Sequence, residues 1–430
     1  MKLSAVSSPD WFTRSAVYQI NPRTFCKEGT VKSVENELKE LKALGFEIMY
    51  LCPVFEADDS EDRAFWSERQ KKYGTENPKN PYRMNDYFNI DSEYGTNEDL
   101  RSFVNTAHSL GMHVLLDLVY YHIGPNAPIL KTHPEFAYQN EDGSFITGPW
   151  HFPILDFHCR GLREYLWCNM VYYVAEYGVD GYRCDVGDRV PVDFWVEGRR
   201  RIQAVKPDAV LINEGTNPEY VLSAFDSCYN FEWHTVMYDV FSGKKTANDL
   251  RLCWNKYSEM YSKDVRILRD IDNHDTVTDT VPRTEIVAGH DGMEQIEVLN
   301  YIIDGIPMVY CGNELADTAN INMFANRFHM GVYETTDRKT VSEAGDRRRN
   351  IMIFLNNLKK ESDVLRYGKT EWLDTENPDG VIAFSREYNG EKMIFVGNAT
   401  DESIEISVDT NGIVMMSNKA EKDGKTVKLG

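Results

Sequence analysis

Two carboxylates of a type and placement suited to acid–base chemistry stand at the ends of neighbouring strand-like runs. The first run, Val179-Asp180-Gly181-Tyr182-Arg183-Cys184-Asp185, closes on an acid, and so does the second, Ala209-Val210-Leu211-Ile212-Asn213-Glu214. The stretch between them reads as a helix over 194–205, so the pair predicts a βαβ unit with both acids on one edge of a parallel sheet. Paired carboxylates at such an edge are the minimum for splitting a glycosidic bond, one attacking as nucleophile while the other lends a proton and takes it back. Arg183 lies two residues before Asp185, on the same side of the strand, where it would hold that acid ionised. Asp117 with His122, and His274 with Asp275, close two further runs of the same kind.

The elements that must position these groups follow in a regular order. Strands are expected at 16–20, 46–51, 113–119, 179–185, 209–214, 224–226, 265–271 and 306–310, with helices between most of them. Ser33 is placed to cap a helix with Val34, Leu38, Leu41 and Leu44 on one face, and Thr96 with Asp99 resembles a capping box opening the helix 97–110. Other helices are expected over 162–177, 194–205 and 293–303. The stretch 54–80 is polar and loop-like, and 123–157 has little periodicity. Eight strands alternating with helices predict an α/β fold, a (β/α)8 TIM barrel over 1–367. A short excursion from it follows strand 3, over about 120–157. Beyond Gly368 the period changes to two, and Asn389-Gly390 marks a hairpin, so 368–430 is expected to form a C-terminal antiparallel, β-sandwich-like domain.

Composition narrows the function classes. The chain has 430 residues, 42% of them apolar, and a formal net charge of −21. That is ample for one large domain with a core plus a smaller one. A strongly acidic chain argues against nucleic acid or an anionic membrane as partner and is compatible with a neutral sugar. The 8 cysteines include no CxxC and no even spacing, which reads as free thiols rather than a disulfide framework. The start of the chain lacks a secretory pattern and no apolar run approaches membrane-spanning length, so a cytoplasmic location is expected.

Four segments, Asp117-Leu-Val-Tyr-Tyr-His122, Gly181-Tyr-Arg-Cys-Asp185, Ile212-Asn-Glu214 and Asp272-Asn-His-Asp275, resemble in order and spacing the signature regions of the α-amylase family of glycoside hydrolases. Tyr82 with Asp86-Tyr87, and the run Gly305 to Glu314, extend the likeness over about residues 11–365. The resemblance implies Asp185 as nucleophile, Glu214 as general acid and then base, and Asp275 as a third carboxylate holding sugar hydroxyls. Their chemistry requires a nucleophile–acid separation of about 5–5.5 Å for retention of configuration. It also implies His122 and His274 as hydrogen-bond donors to the sugar, Tyr82 as the platform beneath it, and Arg327 as a further sugar-binding residue. The acid often found four positions before that arginine is Met323 here. Trp66, Trp150 and Trp233 are candidates for stacking on further sugars, and Asn398-Ala-Thr400 matches a glycosylation sequon by chance.

Two departures bear on the expectations. Tyr121 stands where the family usually has an asparagine that belongs to a calcium site, and Tyr is a poor carbonyl-type ligand. No metal is therefore expected there, and no cofactor. Val186, directly after Asp185, resembles members that cleave α-1,6 bonds. The reading that follows is a retaining hydrolase of α-1,4 bonds in maltooligosaccharides or starch fragments, with an α-1,6-acting oligoglucosidase or a transglycosidase as alternative. A barrel that only binds carbohydrate would be expected to lack one of the three carboxylates, and all three are present. The sequence leaves oligomeric state, and endo against exo action, open.

Overall fold

The computed structural model describes residues 5–261, 264–277, 282–408, 418–423 and 425–430. Eight parallel strands close into a barrel: β1 (Val17–Ile20), β2 (Ile48–Leu51), β3 (His113–Leu118), β4 (Gly181–Cys184), β5 (Val210–Asn213), β6 (Ser227–Cys228), β7 (Arg266–Arg269) and β8 (Ile306–Tyr310). β1 pairs with both β2 and β8, so no edge is left open. The interior is packed with Val17, Ile48, Tyr50, Leu115, Val210, Ile212, Leu268, Ile306 and Met308, at alternate positions along the strands. The opposite faces pack against the surrounding helices, for example Val34, Leu38 and Leu41 of the helix Val31–Ala43.

Register sets the height of each functional group. Leu115, Gly181 and Val210 are directly paired neighbours, and one step further along the interior come Asp117, Arg183 and Ile212. Asp117 and Arg183 thus stand side by side inside the barrel near its C-terminal end. Gly181 lets β4 approach β5 this closely: it has φ 148°, and a Cβ there would lie 2.1 Å from the Val210 carbonyl oxygen.

Several elements differ from expectation. The sixth strand is Ser227–Cys228, not 224–226; Asp226 instead spends its carboxylate on the Leu211 N–H and on Arg199. Thr30 is the cap of the helix Val31–Ala43, and Ser33 is the third helical residue that bonds back to it. The Thr96–Asp99 capping box forms as read. The helix expected at 293–303 runs Thr284–Ile302, interrupted at Gly289, and the helix after the excursion ends in a π-turn, Tyr173–Tyr177. The stretch 54–80 holds a 3-10 turn, Arg63–Phe65, and a short helix, Glu68–Lys72.

After the barrel, β9 (Lys369–Trp372), β10 (Val381–Tyr388) and β11 (Glu391–Asn398) form one antiparallel sheet, and β12 (Ile404–Ser407), β14 (Thr426–Leu429) and β13 (Ala420–Asp423) another. Asn389 and Gly390, both with positive φ, make the two-residue turn between β10 and β11. Val381 and Ala383 pack against Ile406, Val427 and Leu429, while Ile382, Phe384 and Phe395 face the helices of the barrel. All 8 cysteines are free thiols. No helix among the described residues is long and apolar enough to cross a membrane.

Candidate active site

Arg183 is the hub at the C-terminal end of the barrel. Its Nη1 donates to Asp117 Oδ1 and to Asp185 Oδ1, each at 2.8 Å, and its Nη2 stands 2.9 Å from Glu214 Oε1. A guanidinium is suited to this because its planar fork of donors serves several carboxylates at once. The second Glu214 oxygen accepts the Val186 N–H at 2.7 Å. Val186 has φ 38° and ψ 46°, a left-handed conformation that a β-branched residue adopts only under strain. The strained turn after Asp185 is what points that N–H at Glu214.

Across the opening, Tyr82 joins the hub to β7. Its hydroxyl lies 3.1 Å from Asp117 Oδ2 and 2.5 Å from His274 Nε2, and its ring stacks on the His274 ring at 5.4 Å. Gln19 Nε2 lies 2.7 Å from His274 Nδ1, and the Tyr50 hydroxyl donates to Asp117 at 2.6 Å. Asp275 accepts from Arg69 Nη1 at 2.9 Å, with its other oxygen 3.4 Å from His274. Exposure is graded across the three acids: the side chains of Asp185 and Glu214 are 7% and 10% exposed and that of Asp275 is 36%. Asp275 is thus the most exposed of the three.

The electrostatics separate the acids. Arg183 was expected to hold Asp185 ionised, but burial, with the Glu214 charge added to it, outweighs the guanidinium and pushes Asp185 well above the usual carboxylate range. Burial likewise pushes Glu214 up to about 7, against the pull of Arg183. Two buried carboxyls on one guanidinium titrate as a unit, and both are held above their usual range. Burial would raise Asp275 too, but the His274 ring and the Arg69 guanidinium outweigh it and hold the group below its usual range. His274 is pushed down by burial, and His122 to about 4, so both rings are neutral.

Six of the eight expected residues, Asp185, Glu214, Asp275, Arg183, Tyr82 and His274, share this network. His122 joins it through the backbone: its Nε2 donates to the Tyr82 carbonyl at 2.8 Å, and its ring lies between Trp150 and Phe152. Its N–H is thus committed within the protein. Arg327 lies apart, donating to the carbonyls of Glu28 and Gly29 and covering the Phe328 ring. Trp66 and Trp233 are buried, their indole N–H groups donating to Ser60 and Asn300. Gln19, Tyr50 and Arg69 are members that the sequence reading passed over. Around Tyr121, the Arg189 guanidinium covers both the Tyr121 and Trp150 rings at 5.4 Å, surroundings that do not fit a hard cation.

Acids gathered on one buried arginine at the carboxyl ends of barrel strands make this the candidate active site. A family model described as the alpha amylase catalytic domain matches residues 8–149. The cyclomaltodextrinase of Thermoanaerobacter pseudethanolicus is 24% identical over 448 residues, covering 91% of this chain and 71% of that one. An alpha-1,4-glucan:maltose-1-phosphate maltosyltransferase of Picrophilus torridus is 24% identical over 409 residues, covering 92% and 62%. Among solved structures, a maltogenic alpha-amylase of Thermotoga neapolitana superposes with a TM-score of 0.80 at 23% identity, covering 97% of this chain and 96% of that one. Over most of its length the chain is thus similar to members of the α-amylase family of glycoside hydrolases.

Proposed function

We propose that this enzyme is a retaining hydrolase of α-1,4-glucosidic bonds in maltooligosaccharides or starch fragments. The observation that carries the reading is the Arg183 hub, which places Asp117, Asp185 and Glu214 on one guanidinium at the open end of the barrel. In this reading Glu214, raised by burial to about 7, is protonated when the substrate binds and donates that proton to the glycosidic oxygen. Asp185 attacks the anomeric carbon as the bond to that oxygen breaks, giving a covalent glycosyl-enzyme. Glu214, now ionised, removes a proton from water, the water oxygen bonds to the anomeric carbon, and Asp185 leaves. Two inversions restore the α configuration. Asp275, ionised and partly exposed, accepts hydrogen bonds from hydroxyls of the sugar being cleaved, and Tyr82, fixed on His274, supports its ring.

A transglycosidase is the second reading, in which a sugar hydroxyl replaces water in the second step. The likeness to a maltosyltransferase favours it. Asp185→Asn and Glu214→Gln are the direct tests of the site. Each is expected to lower kcat on maltoheptaose by about 10³-fold or more with the folded circular-dichroism spectrum retained, since each removes a whole step. Turnover within about tenfold of wild type in the Asp185→Asn protein would remove the mechanism.

A further inference from the structure

The segment 54–80 after β2 is strapped to the segment after β8. Asn77 Nδ2 donates to the Phe324 carbonyl at 2.9 Å, the Tyr73 ring stacks on Phe324 at 6.1 Å, and the Tyr333 hydroxyl reaches the Tyr73 carbonyl. Arg23, following β1 and buried, fastens both sides at once: its Nη1 donates to the Lys79 carbonyl at 3.2 Å and to the Met323 carbonyl at 2.9 Å, while Glu93 pairs with its other nitrogens. From this strap Arg69 reaches inward to Asp275, donating to Oδ1 at 2.9 Å and to its backbone carbonyl at 3.2 Å. On its outer side Glu68 lies 3.0 Å from His151 of the excursion, so the strap touches a third wall.

The barrel order gives this strap a direction. β1 lies between β8 and β2, so in a closed ring of eight it stands opposite β5, which carries Glu214. A sugar whose leaving oxygen faces Glu214 extends its non-reducing end away from β5, toward the rim over β1 that the strap closes. We infer that Arg69 and the strapped segment wall off the cleft beyond the sugar held by Asp275, so that the enzyme takes glucan chains by their non-reducing ends. This rests on the reading of Asp185 and Glu214 given above. Arg69 is then a specificity residue: it pairs with the far side of Asp275 and fills the space a further sugar would need.

The test compares two probes on the same enzyme: maltoheptaitol, blocked only at its reducing end, and maltoheptaose carrying a 4,6-O-benzylidene group on its non-reducing unit. Wild type is expected to cleave the first at least about tenfold faster than the second. Arg69→Ala, and independently Asn77→Ala, which loosens the strap without touching Asp275, should each reduce that ratio by about fivefold or more. Equal cleavage of both probes by wild type overturns the inference, as does a ratio unchanged in both variants. Failure of wild type to cleave either probe or unmodified maltoheptaose would instead strike the underlying reading of the site, and this inference with it.

Discussion

The Asp185–Glu214 pair is where pH enters the chemistry. The proposed mechanism needs Glu214 protonated, and Glu214, raised by burial to about 7, loses its proton as pH rises through that value. A general acid works only while protonated, so kcat/KM should fall by about tenfold per pH unit above about 7. A kcat/KM flat from about pH 6 to 9 would contradict the assignment of Glu214 as the acid. The residues behind this were legible in the sequence because each closes a strand, and a barrel gathers strand ends at one face. Tyr50 and Gln19 carried a weaker signal, polar groups at inward positions of otherwise apolar strands. Arg69 carried none: its partner is 206 positions away, and the segment that holds it has no periodicity to place it. Arg327 shows the reverse, a residue named by likeness whose Nη1 donates to the Glu28 and Gly29 carbonyls rather than into the Arg183 network.

At the level of elements, the site depends on how closely β4 approaches β5. Gly181→Ala would place a methyl group against the Val210 carbonyl at a backbone φ of 148°, and backbone cannot swing aside as a side chain can. The expected cost is about 3 kcal/mol, read as a lower midpoint in urea unfolding. An unchanged midpoint would mean that the β4–β5 spacing is looser than described. Long, strongly patterned elements were readable, as the helices Val31–Ala43 and Asn97–Ser109 and the hairpin at Asn389-Gly390 show. β6 was not, because two residues are too few to show a period, and the more apolar 224–226 drew the assignment instead. The cap of the first long helix moved from Ser33 to Thr30 because the two residues bond reciprocally, a pattern that either end of the motif suggests.

For the molecule as a whole, buried acids tie stability to pH. Glu297, in the helical stretch that packs against the barrel, is raised by burial to about 8, against the charge of Arg348. The folded protein keeps that proton between its ordinary value of 4.5 and about 8, whereas the unfolded chain releases it. The native state therefore binds more protons in this window, and stability must fall as pH rises through it. Glu297→Gln cannot titrate, so the drop in melting temperature between about pH 5.5 and 8.5 should be smaller in the variant than in wild type. Equal drops would mean that this carboxyl is not held neutral.

Asp185 and Glu214 are proposed to act by double displacement on α-1,4-linked glucose. The most direct test follows the anomeric protons by NMR during the first minutes of maltoheptaose cleavage, with panose run in parallel. Short products should appear first as α anomers and only later mutarotate, and that signal should be lost in Asp185→Asn. Products appearing first as β anomers would contradict retention and with it the nucleophile. Cleavage of panose at its α-1,6 bond, with maltoheptaose left whole, would contradict the linkage.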